Sequence, residues 1–173
     1  MASINRFSPF LAIAVGVAHA GLSPILAIGG VKPNLVLIAA VLVTVLVGFL
    51  SGAVQAFIAG LTANVLGGEP LGSVPLTLLA VVALTAAAAP LFARLPLVYP
   101  LIAVFGASIV ADAATLFLRQ LLGGAPGTDV PLGIILAAAA LNAGIAGLVL
   151  VVVRLVVHRR ERTRSGGVSR WPT

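Results

Sequence analysis

Asp112 is the residue in this sequence with the clearest potential for a chemical role. It is the only carboxylate inside a predicted membrane span, an apolar stretch from 97 to 118. A charge in the middle of a membrane helix costs roughly 2.5–3.5 kcal/mol on insertion scales, so it usually has a partner or a function. Arg119 lies about two helical turns further on, and His19 lies at mid-depth of the first span. Asp112 is therefore either a proton or ligand site, or a protonated or paired residue that fixes helix packing.

Four more polar side chains fall at membrane depth. His19 is either a hydrogen-bonded packing residue or a proton relay. A metal site is not predicted, because His158 lies at the far end of the last span and no carboxylates cluster. The amides of Gln55, Asn64 and Asn142 would either hydrogen-bond across helices, for under about 2 kcal/mol, or line a pocket for a small solute.

No residue pattern in the chain is typical of an enzyme. Cysteine is absent, so disulfides, Cys-ligated zinc and cysteine catalysis are excluded. The sequence contains no nucleophile elbow, no phosphate-binding loop, no zinc-protease motif and no paired carboxylates. We therefore expect a non-catalytic protein without a metal or cofactor.

The composition indicates that lipid is the main solvent of this chain. Of the 173 residues, 61% are hydrophobic and 8% are charged, whereas an ordinary soluble domain carries about 25% charge. The net charge of +6 does not indicate nucleic-acid binding, because most of it lies in a short segment after the last apolar stretch. We predict one membrane domain over 1–157 and a basic cytoplasmic tail over 158–173. The tail either binds anionic headgroups or an acidic partner, or only fixes topology.

The apolar segments predict an all-α, polytopic membrane protein, a compact bundle of six transmembrane helices with both termini cytoplasmic. Pro24 is expected to kink the first helix. The stretch 34–66 would be about 50 Å long as one helix, too long for a single span. The predicted spans are about 8–28, 34–49, 52–66, 74–92, 97–118 and 131–157.

Charge supports the division of 34–66 into two spans joined by a tight inner turn at Gly48 to Gly52. With six spans, only Lys32 and Arg119 face outward, as the positive-inside rule expects. With five spans, the arginine-rich tail would lie opposite Arg6. The basic residues on the inner side would be Arg6, Arg94, Arg154, Arg159, Arg160, Arg162, Arg164 and Arg170.

Small residues recur every fourth position through this stretch, at Gly48, Gly52, Ala56 and Gly60. Such spacing lets another helix approach closely. The ladder would either contact a partner protein or pack within its own bundle, with Asn64 one further turn along. A homodimer and a contact with another protein are equally compatible with it.

The stretch 32–72 resembles the MreD family of bacterial rod-shape-determining membrane proteins. The family often carries acidic residues where this chain has Asn34 and Asn64. The similar pieces are Lys32-Pro33-Asn34-Leu35, Gly48-Phe49-Leu50-Ser51-Gly52-Ala53, Gly60-Leu61 and the turn Gly67-Gly68-Glu69-Pro70-Leu71-Gly72.

The resemblance implies a non-catalytic component of the cell-elongation machinery in the bacterial inner (cytoplasmic) membrane. Such a protein would bind the scaffold MreC, and through it help to position the MreB cytoskeleton and a peptidoglycan synthase pair. The expected function is the organisation of lateral peptidoglycan synthesis and cell shape.

Two alternatives remain open. The family is similar in architecture to the substrate-binding subunits of ECF vitamin transporters, which are six-helix bundles. Ala12, Gly16 and Ala20 would suit docking onto a transporter scaffold, although a vitamin pocket needs convergent polar or aromatic groups and Tyr99 lies near the inner end. The other alternative is a channel or proton-coupled carrier built on His19 and Asp112.

Overall fold

Helices make up most of the residues that the computed structural model describes, which are 4–68, 72–96, 98–121 and 132–165. Within these ranges there are six α-helices, one short 3-10 helix at Ala89–Phe92 and no β-strand. The α-helices are α1 Ile4–Leu22, α2 Leu35–Val47, α3 Phe49–Gly67, α4 Ser73–Ala88, α5 Tyr99–Leu121 and α6 Leu132–Ser165.

Four of these helical segments are long and apolar enough to cross a membrane: Phe49–Gly67, Ser73–Phe92, Tyr99–Phe117 and Leu132–Val156. The apolar parts of α1 and α2, Pro9–Leu22 and Leu35–Val47, are shorter. The protein is thus a multi-pass helical membrane bundle, and crossings by α1 and α2 stay a prediction.

Helix α2 forms the centre of the bundle. It packs against every other α-helix of the described chain. Its sequence LVLIAAVLVTVLV carries no charge, and seven of its 13 residues are buried. A helix that is apolar all round belongs inside a bundle, because every face then meets apolar side chains.

The chain turns from α2 to α3 at a single residue, Gly48. Its φ of +124° and ψ of 168° lie in a region that is essentially restricted to glycine. The Gly48 N–H still donates to the carbonyl of Thr44, at 3.0 Å, so the turn ends α2 without losing that hydrogen bond. The sequence placed the turn at Gly48 to Gly52, but Gly52 already lies in the first turn of α3.

Helices α2 and α3 run back along each other at very short range. A Cβ placed on Gly52 would overlap Thr44 Oγ1 and would lie 2.9 Å from Thr44 Cα. The threonine hydroxyl is itself fixed, because it donates to the carbonyl of Ala40 at 2.7 Å. Glycine at position 52 is therefore required by the distance between the two helices.

Two helix ends differ from the sequence prediction. Helix α1 ends at Leu22, so Pro24 lies in the following turn and does not kink it. Proline has no N–H to donate to the carbonyl four residues earlier, and its ring clashes there.

At the other end of the chain, α6 continues to Ser165, so the first part of the predicted tail is helical. No glycine or proline interrupts that part, whereas 166–173 lie outside the described residues.

We expect Gly52→Ala to destabilise the protein by about 1–3 kcal/mol, the usual cost of overpacking. Thermal unfolding of the purified protein in detergent measures the change. Adding Thr44→Ala should restore part of the loss, because it removes the overlapping hydroxyl.

The matched control is Gly144→Ala in α6, where nothing lies within 4 Å of the new Cβ. It should be neutral or stabilising by up to about 1 kcal/mol, since alanine is the better helix former. Equal effects of the two substitutions would contradict the close packing of α2 on α3.

Candidate functional site

The small-residue ladder packs inside the bundle. Gly52 faces α2, Ala56 is fully buried, and a Cβ on Gly60 would lie 3.0 Å from Pro75 Cα of α4. The structure thus shows packing within the same bundle, rather than a surface open to a partner protein. A partner helix could reach these residues only if the bundle opened.

Asn64, at the end of the ladder, fastens the turn between α3 and α4. Its side chain is 1% exposed, and its Oδ1 accepts a hydrogen bond of 2.8 Å from the N–H of Gly72. Gly67 is the last residue of α3, and Gly72 has a φ of +93°, which favours glycine. Pro70 lies outside the described residues. The Asn64 amide thus links the end of α3 to the start of α4.

Asn142 joins three helices near the start of α2. Its Oδ1 accepts from the Asn34 N–H at 2.8 Å, and its Nδ2 donates to Ser108 Oγ at 3.0 Å. Ser108 in turn donates to the carbonyl of Val104 at 2.8 Å. Asn34 also caps α2, because its Oδ1 accepts from the Leu37 N–H at 3.0 Å. These bonds link α2, α5 and α6, and we call Asn34, Ser108 and Asn142 the Asn142 network.

The loop between α1 and α2 is held in place beside this network. Ser23 Oγ donates to the carbonyl of Pro33 at 2.7 Å, and both residues are buried. Within the loop, Ile28 and Val31 exchange two backbone hydrogen bonds of 3.0 Å each. The backbone that carries Lys32 is therefore fixed relative to α1 and α2.

A cavity of about 280 Å³ lies between this loop, α5 and α6, and we call it the Lys32–Asp112 cavity. Asp112 lines it from α5, one helical turn after Ser108, and Lys32 lines it from the loop. The whole lining is Gly30, Val31, Lys32, Asp112, Thr115, Leu116, Ile134, Ile135 and Ala138. It combines opposite charges with an apolar wall, which suits an amphipathic ligand.

Asp112 makes none of the contacts that the sequence suggested for it within the described part of the chain. No hydrogen bond or ion pair joins it to His19; α1 packs mainly on α3, whereas Asp112 faces the loop and α6. The side chain of Arg119 lies outside the described residues. The pairing of His19 with Asp112 is therefore not present in this structure.

A second cavity, of about 180 Å³, separates α4 from α5. Its lining is apolar apart from Thr85 and Tyr99. The Tyr99 hydroxyl donates to the backbone carbonyl of Thr85. The ring of Tyr99 stacks on Phe92 with centroids 5.3 Å apart. This arrangement ties the end of α4 to the start of α5 and places no reactive group in the cavity.

No protein-family model, no curated protein and no solved structure matches this chain.

The Asn142 network and the Lys32–Asp112 cavity were only partly foreseen from the sequence. Asn142 and Asp112 stood out as polar residues in apolar segments, but Ser108 and Thr115 did not. Ser108 lies four residues before Asp112, and Thr115 lies three residues after it, so all three share one face of α5. That spacing is the sequence signal that could have found them.

Gln55 is the one amide in α3 with an unsatisfied donor. It is 1% exposed, and among the residues described its Nε2 has no hydrogen-bond acceptor. A buried polar group without a partner costs roughly 1–3 kcal/mol, so Gln55 weakens the bundle at this point.

We expect opposite effects from removing two buried amides. Gln55→Met keeps the side-chain length and removes the unsatisfied donor, so it should raise stability by about 1 kcal/mol or leave it unchanged. Asn142→Ala leaves the Asn34 N–H without its acceptor and removes the hydrogen bond that Ser108 Oγ accepts, so it should lower stability by roughly 1–2 kcal/mol. Thermal unfolding of both variants in the same detergent compares them. A loss of stability in Gln55→Met as large as that in Asn142→Ala would contradict the assignment of Gln55 as unsatisfied.

Proposed function

We propose that this protein is an MreD-like, non-catalytic membrane component of the bacterial cell-elongation complex. It would bind an MreC-like scaffold protein in the inner membrane and so help to organise lateral peptidoglycan synthesis. One observation carries the proposal: the stretch 32–72, where the sequence resembles the MreD family, forms the centre of the bundle. Similarity to the MreD family in the central segment supports a similar helix arrangement. A similar arrangement in turn supports a similar role.

Described residues from three of the similar pieces have clear positions in that centre. The first piece begins α2, with Asn34 as its cap. The second supplies Gly48 and Gly52, which allow α3 to fold back on α2. The last supplies Gly72, which Asn64 holds. The similar residues are thus those that set the positions of α2, α3 and α4.

The surface for a partner helix would be on the outside of the bundle, because the ladder is used internally. Helix α6 is the least buried of the four long spans, and Leu148 and Val152 are 67% and 52% exposed on it. The same helix continues beyond the apolar segment into the basic residues near its end. In this proposal α6 would contact the scaffold within the membrane, and through that scaffold the protein would act on MreB and the synthase pair.

The vitamin-transporter alternative loses one of its supports. The small residues of α1 were expected to dock onto another subunit, but Ala12 is fully buried within the bundle. A Cβ on Gly16 would lie 2.6 Å from Thr62 Cβ and 2.8 Å from the carbonyl oxygen of Ala59. This face of α1 is therefore covered by α3.

The proposal includes six spans with both termini in the cytoplasm, and single-cysteine labelling tests the spans. The natural chain has no cysteine, so each introduced thiol is unique. Lys32→Cys should react with a membrane-impermeant maleimide in cells whose outer membrane has been permeabilised. Arg94→Cys should react only after the inner membrane is opened. Both side chains are exposed, so failure to react reflects the side of the membrane. Labelling of both from the same side would contradict six spans.

The proposed partner is tested by co-purification from membranes in mild detergent. The tagged protein should recover the MreC-like protein of the same cell at a level well above an unrelated six-span protein with the same tag. Recovery no higher than that control, with a known membrane complex recovered in parallel, would contradict the proposal.

Crosslinking then locates the partner on α6. Leu148→Cys should crosslink to the MreC-like protein through a short bifunctional maleimide or a photoreactive thiol reagent. Ala146→Cys is the matched control, because it lies at nearly the same depth but is fully buried. Equal crosslinking from both positions would contradict a contact on the exposed face of α6.

A further inference from the structure

The Lys32–Asp112 cavity has a feature that the proposed function does not use. Asp112 is half-buried within the span Tyr99–Phe117, and no described residue gives its carboxylate a hydrogen bond or an ion pair. Lys32 lines the same cavity but forms no ion pair with it. An ionisable residue within a membrane span is a functional-site candidate. The free-energy cost of placing it in the membrane must be offset by an interaction. Here an anion and a cation face one space without neutralising each other directly.

A zwitterion of suitable length would satisfy both groups at once. Its ammonium end would meet the Asp112 carboxylate, and its anionic end would meet the Lys32 ammonium group. Thr115 adds an acceptor beside Asp112, because its hydroxyl donates to the carbonyl of Ala111 at 2.8 Å and keeps its lone pairs. A purely anionic ligand would be repelled by Asp112, and a simple cation would be repelled by Lys32.

The surroundings of the cavity favour a lipid as the source of that zwitterion. Asp112 lies about 7–8 Å from the end of its span, near the level where headgroups meet acyl chains. The α6 side of the cavity is apolar, and Ile134 on that side is 46% exposed toward the outside of the bundle. An acyl chain could therefore leave the cavity along α6. The volume of about 280 Å³ is just below the range of roughly 300–1,000 Å³ for drug-sized ligands, and so suits a headgroup-sized molecule.

We infer that the Lys32–Asp112 cavity binds the phosphoethanolamine headgroup of a phospholipid, with its ammonium group at Asp112 and Thr115 and its phosphate at Lys32. The Asn142 network, one turn deeper on α5, fixes the inner wall of this site relative to α2 and α6. The site requires only the folded bundle and is independent of any role in cell elongation.

Native mass spectrometry of the purified full-length protein tests this inference. The protein is released from nanodiscs that contain equal amounts of phosphatidylethanolamine and phosphatidylglycerol, and the retained lipids are counted. Wild-type protein should retain phosphatidylethanolamine with a preference of about tenfold, which corresponds to roughly 1.4 kcal/mol. Asp112→Asn and Lys32→Gln should each lose that preference.

Two matched substitutions control for loss of charge alone. Glu161→Gln removes an acid from α6 about 35 Å along the helix from Ala138. Arg94→Gln removes a base from an exposed position between α4 and α5. Both should keep the wild-type preference, and all variants are first compared by size-exclusion profile and helical circular dichroism.

A soluble competitor distinguishes the sources of the zwitterion. If the lipid is the ligand, glycerophosphoethanolamine should displace it only at concentrations far above that of the lipid. Displacement at comparable concentrations would support the charge chemistry of the cavity and identify a soluble zwitterion as its ligand. Equal retention of the two lipids by the wild type, or wild-type preference in Asp112→Asn, would overturn the inference. Neither result bears on binding to an MreC-like protein, so the two proposals fail separately.

Discussion

The burial of a helix that is too short for the bilayer constrains the rest of this structure. Helix α2 has 13 residues and is about 20 Å long, against a hydrocarbon core of about 30 Å. The helix is buried among the other helices, so backbone groups at its ends need hydrogen-bond partners from the protein. At its start, Asn142 of α6 accepts from the Asn34 N–H, and at its end the Gly48 N–H donates to the carbonyl of Thr44 within α2 itself.

That constraint also explains where the polar groups concentrate. The start of α2 needs hydrogen-bond partners from neighbouring helices, so α5 and α6 bring Ser108 and Asn142 to it. The same requirement holds the preceding loop through Ser23 and Pro33. A polar, well-fixed end of the bundle results, and the cavity with Lys32 and Asp112 lies beside it. The Asn142 network and the Lys32–Asp112 cavity thus lie in the same rigid region of the bundle.

The sequence predicted the features that depend on composition and on local conformation. Hydropathy alone indicates an all-helical membrane bundle, and glycine at position 48 indicates a break, because only glycine adopts that φ and ψ readily. It could not show whether Gly52 and Gly60 face a partner or the same bundle, since four-residue spacing fixes a helix face but not its neighbour. Ser108 and Thr115 were missed because each was considered alone, although their spacing from Asp112 places them on the same face of α5. The sequence predicted a span over 131–157 and did not show that α6 continues past it to Ser165.

The single-residue connection at Gly48 has a consequence for how the protein is made. A connection of one residue provides no loop that could wait in water while only one of the two helices is inserted. Helix α2 alone is also shorter than the roughly 17–25 residues of an independent membrane segment. We therefore expect the two helices to enter the membrane together, as one apolar segment of about 33 residues that folds back on itself at Gly48.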